Sequence, residues 1–187
     1  NDIIKYNWFL IMELEKKYIQ KINISHRKKF AQFFTPETIA DLMADWLIGN
    51  KKLKTVLEPA FGLGVFSRNL LKKKPNLNIK GFDIDETIFK EAQSFFNTNP
   101  NVSLNLNDYM FNDWSNEYDG IICNPPYFKF HDYDNKSILK EIENRLNFKF
   151  NGFTNLYTLF LLKSIYQLAP NGRMAYLIPS EFLNSDY

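Results

Sequence analysis

Cysteine and histidine are nearly missing from this chain: Cys123 stands alone, and the only imidazoles are His26 and His131. A single thiol forms no internal disulfide, and two histidines so far apart make no ligand spacing. Neither a disulfide scaffold nor a metal centre is therefore expected. Long apolar runs are also missing, as is a signal peptide, so the expected compartment is a reducing cytoplasm with no membrane partner. Glycine is scarce, seven in 187 residues, and no repeat or low-complexity segment is present. Charge is balanced at a net +2, which neither requires nor excludes a nucleic acid. An initiator Met is lacking too; the chain starts at Asn1 and stops at Tyr187, which reads as a piece of a longer polypeptide.

Apolar side chains are abundant: 45% of the residues are hydrophobic and 18 are Phe, enough for one α/β domain with a real core. Apolar positions from Ile4 to Ile19 recur at helical spacing, and polar, basic Asn23 to Lys29 reads as a connector. Thr35-Pro36-Glu37 starts a helix that runs to about Ile48. Strands are then expected at Lys54–Leu57, Asn78–Phe82, Val102–Leu106, Tyr118–Cys123 and Met174–Ile178. Helices are expected at Gly64–Lys74, Glu86–Asn97 and Leu156–Leu168, with a turn at Pro170-Asn171-Gly172. Between Asn124 and Thr154 lies a long polar and aromatic stretch whose only helical signal is Ser137–Leu146. Strands alternating with helices imply a parallel, Rossmann-like sheet with helices on both faces. A ligand would bind beyond the strand ends where the first and fourth strands meet.

Asn124-Pro125-Pro126-Tyr127 follows an apolar strand directly. Two prolines fix φ and keep the residue before each of them extended, so the Asn124 and Pro125 carbonyls can converge on one point. Convergent acceptors beside the Tyr127 ring suit a planar base bearing an NH2 group. The same tetrapeptide serves equally as a turn that ends a strand.

Glu58-Pro59-Ala60-Phe61-Gly62-Leu63-Gly64 follows the first strand and opens a helix. Ser67 stands where a dinucleotide fingerprint needs its third glycine, and the Gly-Lys-Ser/Thr of a P-loop is absent, so a nucleoside without phosphates fits best. Asp83, at the end of the second strand, is placed to take both hydroxyls of a ribose, with Ile84 beside it. Asp85 and Glu86 serve the next helix. Asp108 is placed to accept from an adenine amine with Tyr109 against the ring, or to cap a turn. Phe33, Phe34 and Thr35 adjoin a helix start and could floor the same pocket.

Together these segments, with Asn155-Leu156-Tyr157 through Phe160 and Gly172-Arg173-Met174 through Pro179, resemble the gamma-type amino-methyltransferases of bacterial restriction-modification systems, which make N6-methyladenine in DNA. The resemblance covers Lys28 to Leu183. It implies a catalytic domain over 28–187, preceded by an N-terminal helix and connector over 1–27. It implies S-adenosylmethionine as cofactor, held by Phe33, Thr35, Glu58, Pro59, Ala60, Gly62, Gly64, Asp83, Ile84, Asp108, Tyr109, Asn124 and Phe160. Asn124, Pro125, Pro126 and Tyr127 would hold and stack a flipped-out adenine of double-stranded DNA. The last two strands of the family sheet and the target-recognition domain would lie outside this chain, and a restriction endonuclease would be fused or associated. Two departures stand out: Ala31 where family members often have Gly, and Phe61 where they have a small residue or Cys. Cytosine N4, a protein glutamine, an RNA base, or an inert cofactor-binding fragment remain open alternatives. Arg27, Lys28 and Lys29, and Lys129, His131, Lys136, Lys140 and Lys149, are candidate DNA contacts.

Overall fold

Every strand of the sheet is parallel to its neighbours, in the order β3-β2-β1-β4-β5. The architecture comes from a computed structural model that describes residues 14–127, 136–147, 149 and 155–180. The strands are β1 (Thr55–Glu58), β2 (Asn78–Asp83), β3 (Val102–Leu106), β4 (Tyr118–Cys123) and β5 (Leu168–Tyr176). Residues 14–21 are helical (α1). The helices α2 (Ile24–Lys29), α3 (Glu37–Ile48), α4 (Val65–Lys73), α5 (Glu86–Phe96), α6 (Lys136–Leu146) and α7 (Leu156–Tyr166) follow, with a 3₁₀ turn at Tyr109–Phe111. β1 and β4 are adjacent, Val56 opposite Gly120, so the order reverses between them as expected.

Alternation along the buried strands separates two cores. Val56 and Ile122 face α3, α4 and α5, packing with Leu47, Phe66, Leu70, Ala92 and Phe96. Leu57, Ile121 and Cys123 face the other way, onto Tyr109, Met110, Ile142, Leu156, Leu159 and Phe160. With both faces covered, the strands read as near-continuous apolar runs.

Three local expectations change. Asn23 to Lys29 is not an irregular connector: Asn23 caps α2 by accepting from the Ser25 N–H at 3.0 Å, and the helix runs to Lys29. Pro170-Asn171-Gly172 does not precede the fifth strand but lies inside β5. The pairing jumps there from Tyr118 opposite Leu168 to Gly120 opposite Arg173, and Asn171 takes φ +64°. A bulge thus absorbs the residues that read as a turn. The N-terminal helix before residue 14 and the stretches 128–135 and 150–154 lie outside the described residues, as do Lys129 and His131.

Candidate active site

The glycine loop, the β2 end, the β3 end and the Asn124 tetrapeptide open onto one cavity. Gly64 takes φ +71° as the residue before α4, a conformation open to glycine and costly for other residues. The turn it makes carries Pro59, Ala60 and Gly62 to the wall. Gly64 itself does not line the cavity; the space beside its Cα is filled by the rings of Phe61 and Phe96.

Glu58 is fully buried at the end of β1. Its Oε2 accepts from the Ser67 N–H at 3.2 Å and from the Ser67 hydroxyl, while Oε1 has no hydrogen-bond partner among the described residues. Burial pushes its pKa up to about 8, against the lowering effects of Ser67 and Arg68. Asp83 accepts from the Gly62 N–H at 2.9 Å through Oδ2 and from the Asp85 N–H at 2.9 Å through Oδ1. Its pKa is raised to about 6, again by burial first. Asp85 caps α5 through the Thr87 N–H at 3.0 Å, as expected. Its other oxygen takes Gln32 Nε2 at 2.6 Å and lies 2.7 Å from His26 Nε2, which ties the N-terminal segment to the rim.

Asp108 takes the capping role and stands at the cavity. It caps the 3₁₀ turn by accepting from the Met110 N–H at 2.8 Å, and it lines the cavity. Tyr109 is buried between Phe82 and Phe160, with its hydroxyl donating to Gln167 at 2.7 Å.

Thr35 and Phe33 meet Asn124 at the far rim. Asn124 Nδ2 donates to the Phe33 carbonyl and to Thr35 Oγ1, each at 3.0 Å, and the Tyr127 hydroxyl lies 2.7 Å from Asn124 Oδ1. That hydroxyl also lies 3.0 Å from the Leu177 carbonyl, and burial raises its pKa to about 12. Phe33 is 64% exposed, with its ring centroid 5.8 Å from that of Tyr127.

The structure therefore brings Phe33, Thr35, Glu58, Pro59, Ala60, Gly62, Asp83, Ile84, Asp108, Tyr109, Asn124, Pro126 and Phe160 to one wall. Pro125 is buried behind it, and Tyr127 meets it through Asn124 and the Phe33 ring. Glu15, Gln32, Leu63 and Ile88 also line the cavity without having been assigned to the site. Glu15 carries no local signal, because its place is fixed by an ion pair with Arg68, 53 residues away. Among the described residues no cluster of metal-ligating side chains is present, and no helix is long and apolar enough to cross a membrane.

Residues 63–187 match the profile of the family described as Eco57I restriction-modification methylase. The chain is 68% identical over 174 residues to the type II methyltransferase M.AccI of Acinetobacter calcoaceticus, covering 93% of this chain and 32% of that protein. To the type II methyltransferase M.HincII of Haemophilus influenzae it is 30% identical over 166 residues, covering 86% and 30%. The chain thus spans about a third of the length of these curated relatives. A putative class I S-adenosylmethionine-dependent methyltransferase from Listeria monocytogenes superposes with a TM-score of 0.72 at 20% identity, over 95% of this chain and 54% of that one; it shares the fold.

Proposed function

The chain belongs to the Eco57I restriction-modification methylase family, and we propose that it carries the cofactor site and catalytic tetrapeptide of a DNA methyltransferase. The proposed reaction moves a methyl group from S-adenosylmethionine to the N6 amine of an adenine flipped out of double-stranded DNA, within a restriction-modification system. The supporting observation is the meeting of Asn124 with Phe33 and Thr35 on the wall shared by Glu58, Gly62 and Asp83.

The cavity suits that cofactor. The unpartnered Glu58 Oε1 is a buried acceptor in need of a donor such as an ammonium, and Asp83 retains lone pairs for ribose hydroxyls beyond the two N–H groups it already accepts. Phe160, Tyr109 and Ile84 give apolar walls for an adenine ring. Bound there, S-adenosylmethionine supplies an electrophilic methyl group on a sulfonium.

The protein's part is then to present a nucleophile. An exocyclic amine is weakly basic because its lone pair is delocalised into the ring. Asn124 Oδ1, with one lone pair toward the Tyr127 hydroxyl, keeps another for one N–H of that amine. The Pro125 carbonyl is the second acceptor in this reading. Two such bonds turn the lone pair out of conjugation, so no side-chain base is needed for attack. Extruding the base costs a few kcal/mol; stacking on the Tyr127 ring, worth about 1–3 kcal/mol, offsets much of it. The ring face would also stabilise the amine as it becomes cationic; the S–CH3 bond breaks, the sulfonium leaves as a neutral thioether, and the methylated amine then gives one proton to solvent.

We assign residues 28–187 to the catalytic domain, with 1–27 as its N-terminal extension. Target recognition and any endonuclease partner belong to the rest of the system. The test is transfer of labelled methyl to duplex DNA, RNA and protein, with the product base identified. N6-methyladenine in DNA is expected; label on cytosine, RNA or protein alone would overturn the substrate, and no transfer anywhere would leave a binding fragment.

A further inference from the structure

Lys163 is fully buried on the inner face of α7, a lysine at a position where helical spacing calls for an apolar side chain. Its ammonium donates to the carbonyls of Tyr109 and Asn112. It also stands 4.0 Å from the Tyr109 ring centroid and 4.4 Å from that of Trp114. The Tyr109 carbonyl also accepts from the Asn112 N–H at 3.2 Å, so the ammonium reinforces the bond that closes the 3₁₀ turn following Asp108 and ties in the Asn112 carbonyl just past it. The same helix holds the other end of Tyr109: its hydroxyl lies 3.2 Å from Ser164 Oγ and donates to Gln167 at 2.7 Å. Trp114 Nε1 adds a bond to the Met110 carbonyl at 2.9 Å.

Burying an ammonium is costly, and replacing it by an apolar side chain is the cheaper way to fill a core. The cost is borne where the clamped turn carries Asp108 and Tyr109 to the cavity wall, one helical turn from Phe160. We infer that Lys163 is a positioning residue for the cofactor, its charge holding the Tyr109–Asn112 turn so that Asp108 and Tyr109 face the bound nucleoside. This rests on the reading of the cavity as an S-adenosylmethionine site.

The device is sensitive to pH. Burial lowers the Lys163 pKa to about 7, opposed by Asp113, Asp108 and Glu141 and reinforced by Arg145. The charge is therefore present below about pH 7 and lost above it, and cofactor affinity falls as it is lost. Glu58 and Asp83 also titrate at the cavity, but they are common to every Lys163 variant, so differences between variants isolate Lys163.

The test is calorimetric titration of S-adenosylhomocysteine into the unsubstituted chain, Lys163→Met and Lys163→Arg, at about pH 6 and about pH 9, with melting curves at both. At the lower pH, Lys163→Met is expected to bind about tenfold more weakly, roughly one charge-assisted hydrogen bond. The unsubstituted chain should approach it at the higher pH, while Lys163→Arg keeps its affinity at both. A purely structural role would move melting temperature and affinity together at both pH values. Unsubstituted-like affinity in folded Lys163→Met, or parallel pH profiles in all three proteins, would overturn the inference. Should Lys163→Met not fold, the ratio of affinities between Lys163→Arg and the unsubstituted chain decides: a ratio that changes with pH supports the role and a constant one ends it. Failure of the unsubstituted chain to bind at all would instead overturn the cofactor reading, and this inference with it.

Discussion

Asn124 donates its side-chain N–H to the hydroxyl of Thr35 at 3.0 Å, across 89 residues of sequence. With Phe33 accepting from the same nitrogen and Tyr127 paired to the oxygen, both ends of the amide are assigned. Rotating it by half a turn would place acceptor against acceptor at the Phe33 carbonyl, whereas the Tyr127 and Thr35 hydroxyls can serve either end, so the carbonyl decides the orientation. On the proposed reaction, the oxygen would thereby be held ready for an amine before any substrate arrives. Asn124→Ala is expected to slow methyl transfer by roughly 10²–10³-fold or more, while S-adenosylhomocysteine affinity stays within about twofold. Single-turnover rates and calorimetry on the same variant separate the two, and equal losses in both would remove the assigned role.

Glu58 gives a stability prediction with a definite sign. Its folded pKa, about 8, lies above the ordinary carboxylate value of 4.5, so the folded state holds a proton that the unfolded chain has released. Its contribution to stability is fully present below about pH 4.5 and is lost as the pH rises through about 8. Glu58→Gln keeps an acceptor for Ser67 and removes the buried charge. Melting curves without cofactor should show this variant gaining on the unsubstituted protein as the pH goes from about 6 to about 9. A constant difference between them across that range would contradict the buried-acid account.

Phe61 explains why Gly81 has no side chain. A Cβ on Gly81 would stand 2.2 Å from the Phe61 ring, which is itself held edge-on against Phe96 at 5.3 Å. Gly81→Ala is expected to cost about 1–3 kcal/mol by overpacking. Adding Phe61→Leu should recover part of that loss, read from urea midpoints. Simple additivity of the two substitutions would show that the ring is not the obstacle.

Ala31 sits at φ +45°, just past the end of α2 and on the cavity wall. Left-handed backbone costs a residue with a Cβ about 1–2 kcal/mol, and glycine recovers that while giving back some unfolded-state entropy. Ala31→Gly should therefore stabilise the chain by about 0.5–1 kcal/mol in urea melts. Lower stability would mean that the backbone there is not strained.

Legibility in the sequence followed the range of the forces involved. The strand order around β1 and β4, and the walls made by Glu58, Asp83 and Asn124, came from local patterns: apolar runs, prolines, and acids at strand ends. Asp85 as a cap was equally local. What stayed hidden is set by contacts distant in sequence. Gln32 joins the wall because Asp85, 53 residues on, fixes its amide. Lys163 falls on the inner face of α7 by spacing, but its partners, the Tyr109 and Asn112 carbonyls, lie more than fifty residues away in sequence. Gly64 reads as a ligand contact because the glycine pattern marks both a tight turn and a close approach, and here it makes the turn. In β5 the Pro170-Asn171-Gly172 signal is real, but parallel pairing with β4 carries the strand through it.

On the proposed function, the basic last turn of α2 bears on how a DNA duplex would lie. Arg27, Lys28 and Lys29 close that helix with no acid in its first turn, and the chain then runs through Phe30 and Ala31 into the cavity wall and on to Phe33. Lys28 and Lys29 are exposed, and the Lys29 ammonium stands 5.2 Å from the Phe30 ring centroid. A base extruded toward Asn124 would leave its flanking phosphates outside the rim, where this turn would offer positive charge. Each phosphate neutralised contributes about −0.9 to the slope of log K against log salt. The double substitution Lys28→Gln with Lys29→Gln should therefore flatten that slope by roughly 2 for duplex DNA, with S-adenosylhomocysteine affinity unchanged. Fluorescence anisotropy over a salt series measures it. A slope equal to that of the unsubstituted chain would place the duplex on another face, and a loss of cofactor affinity would show that these lysines act on the cavity wall instead.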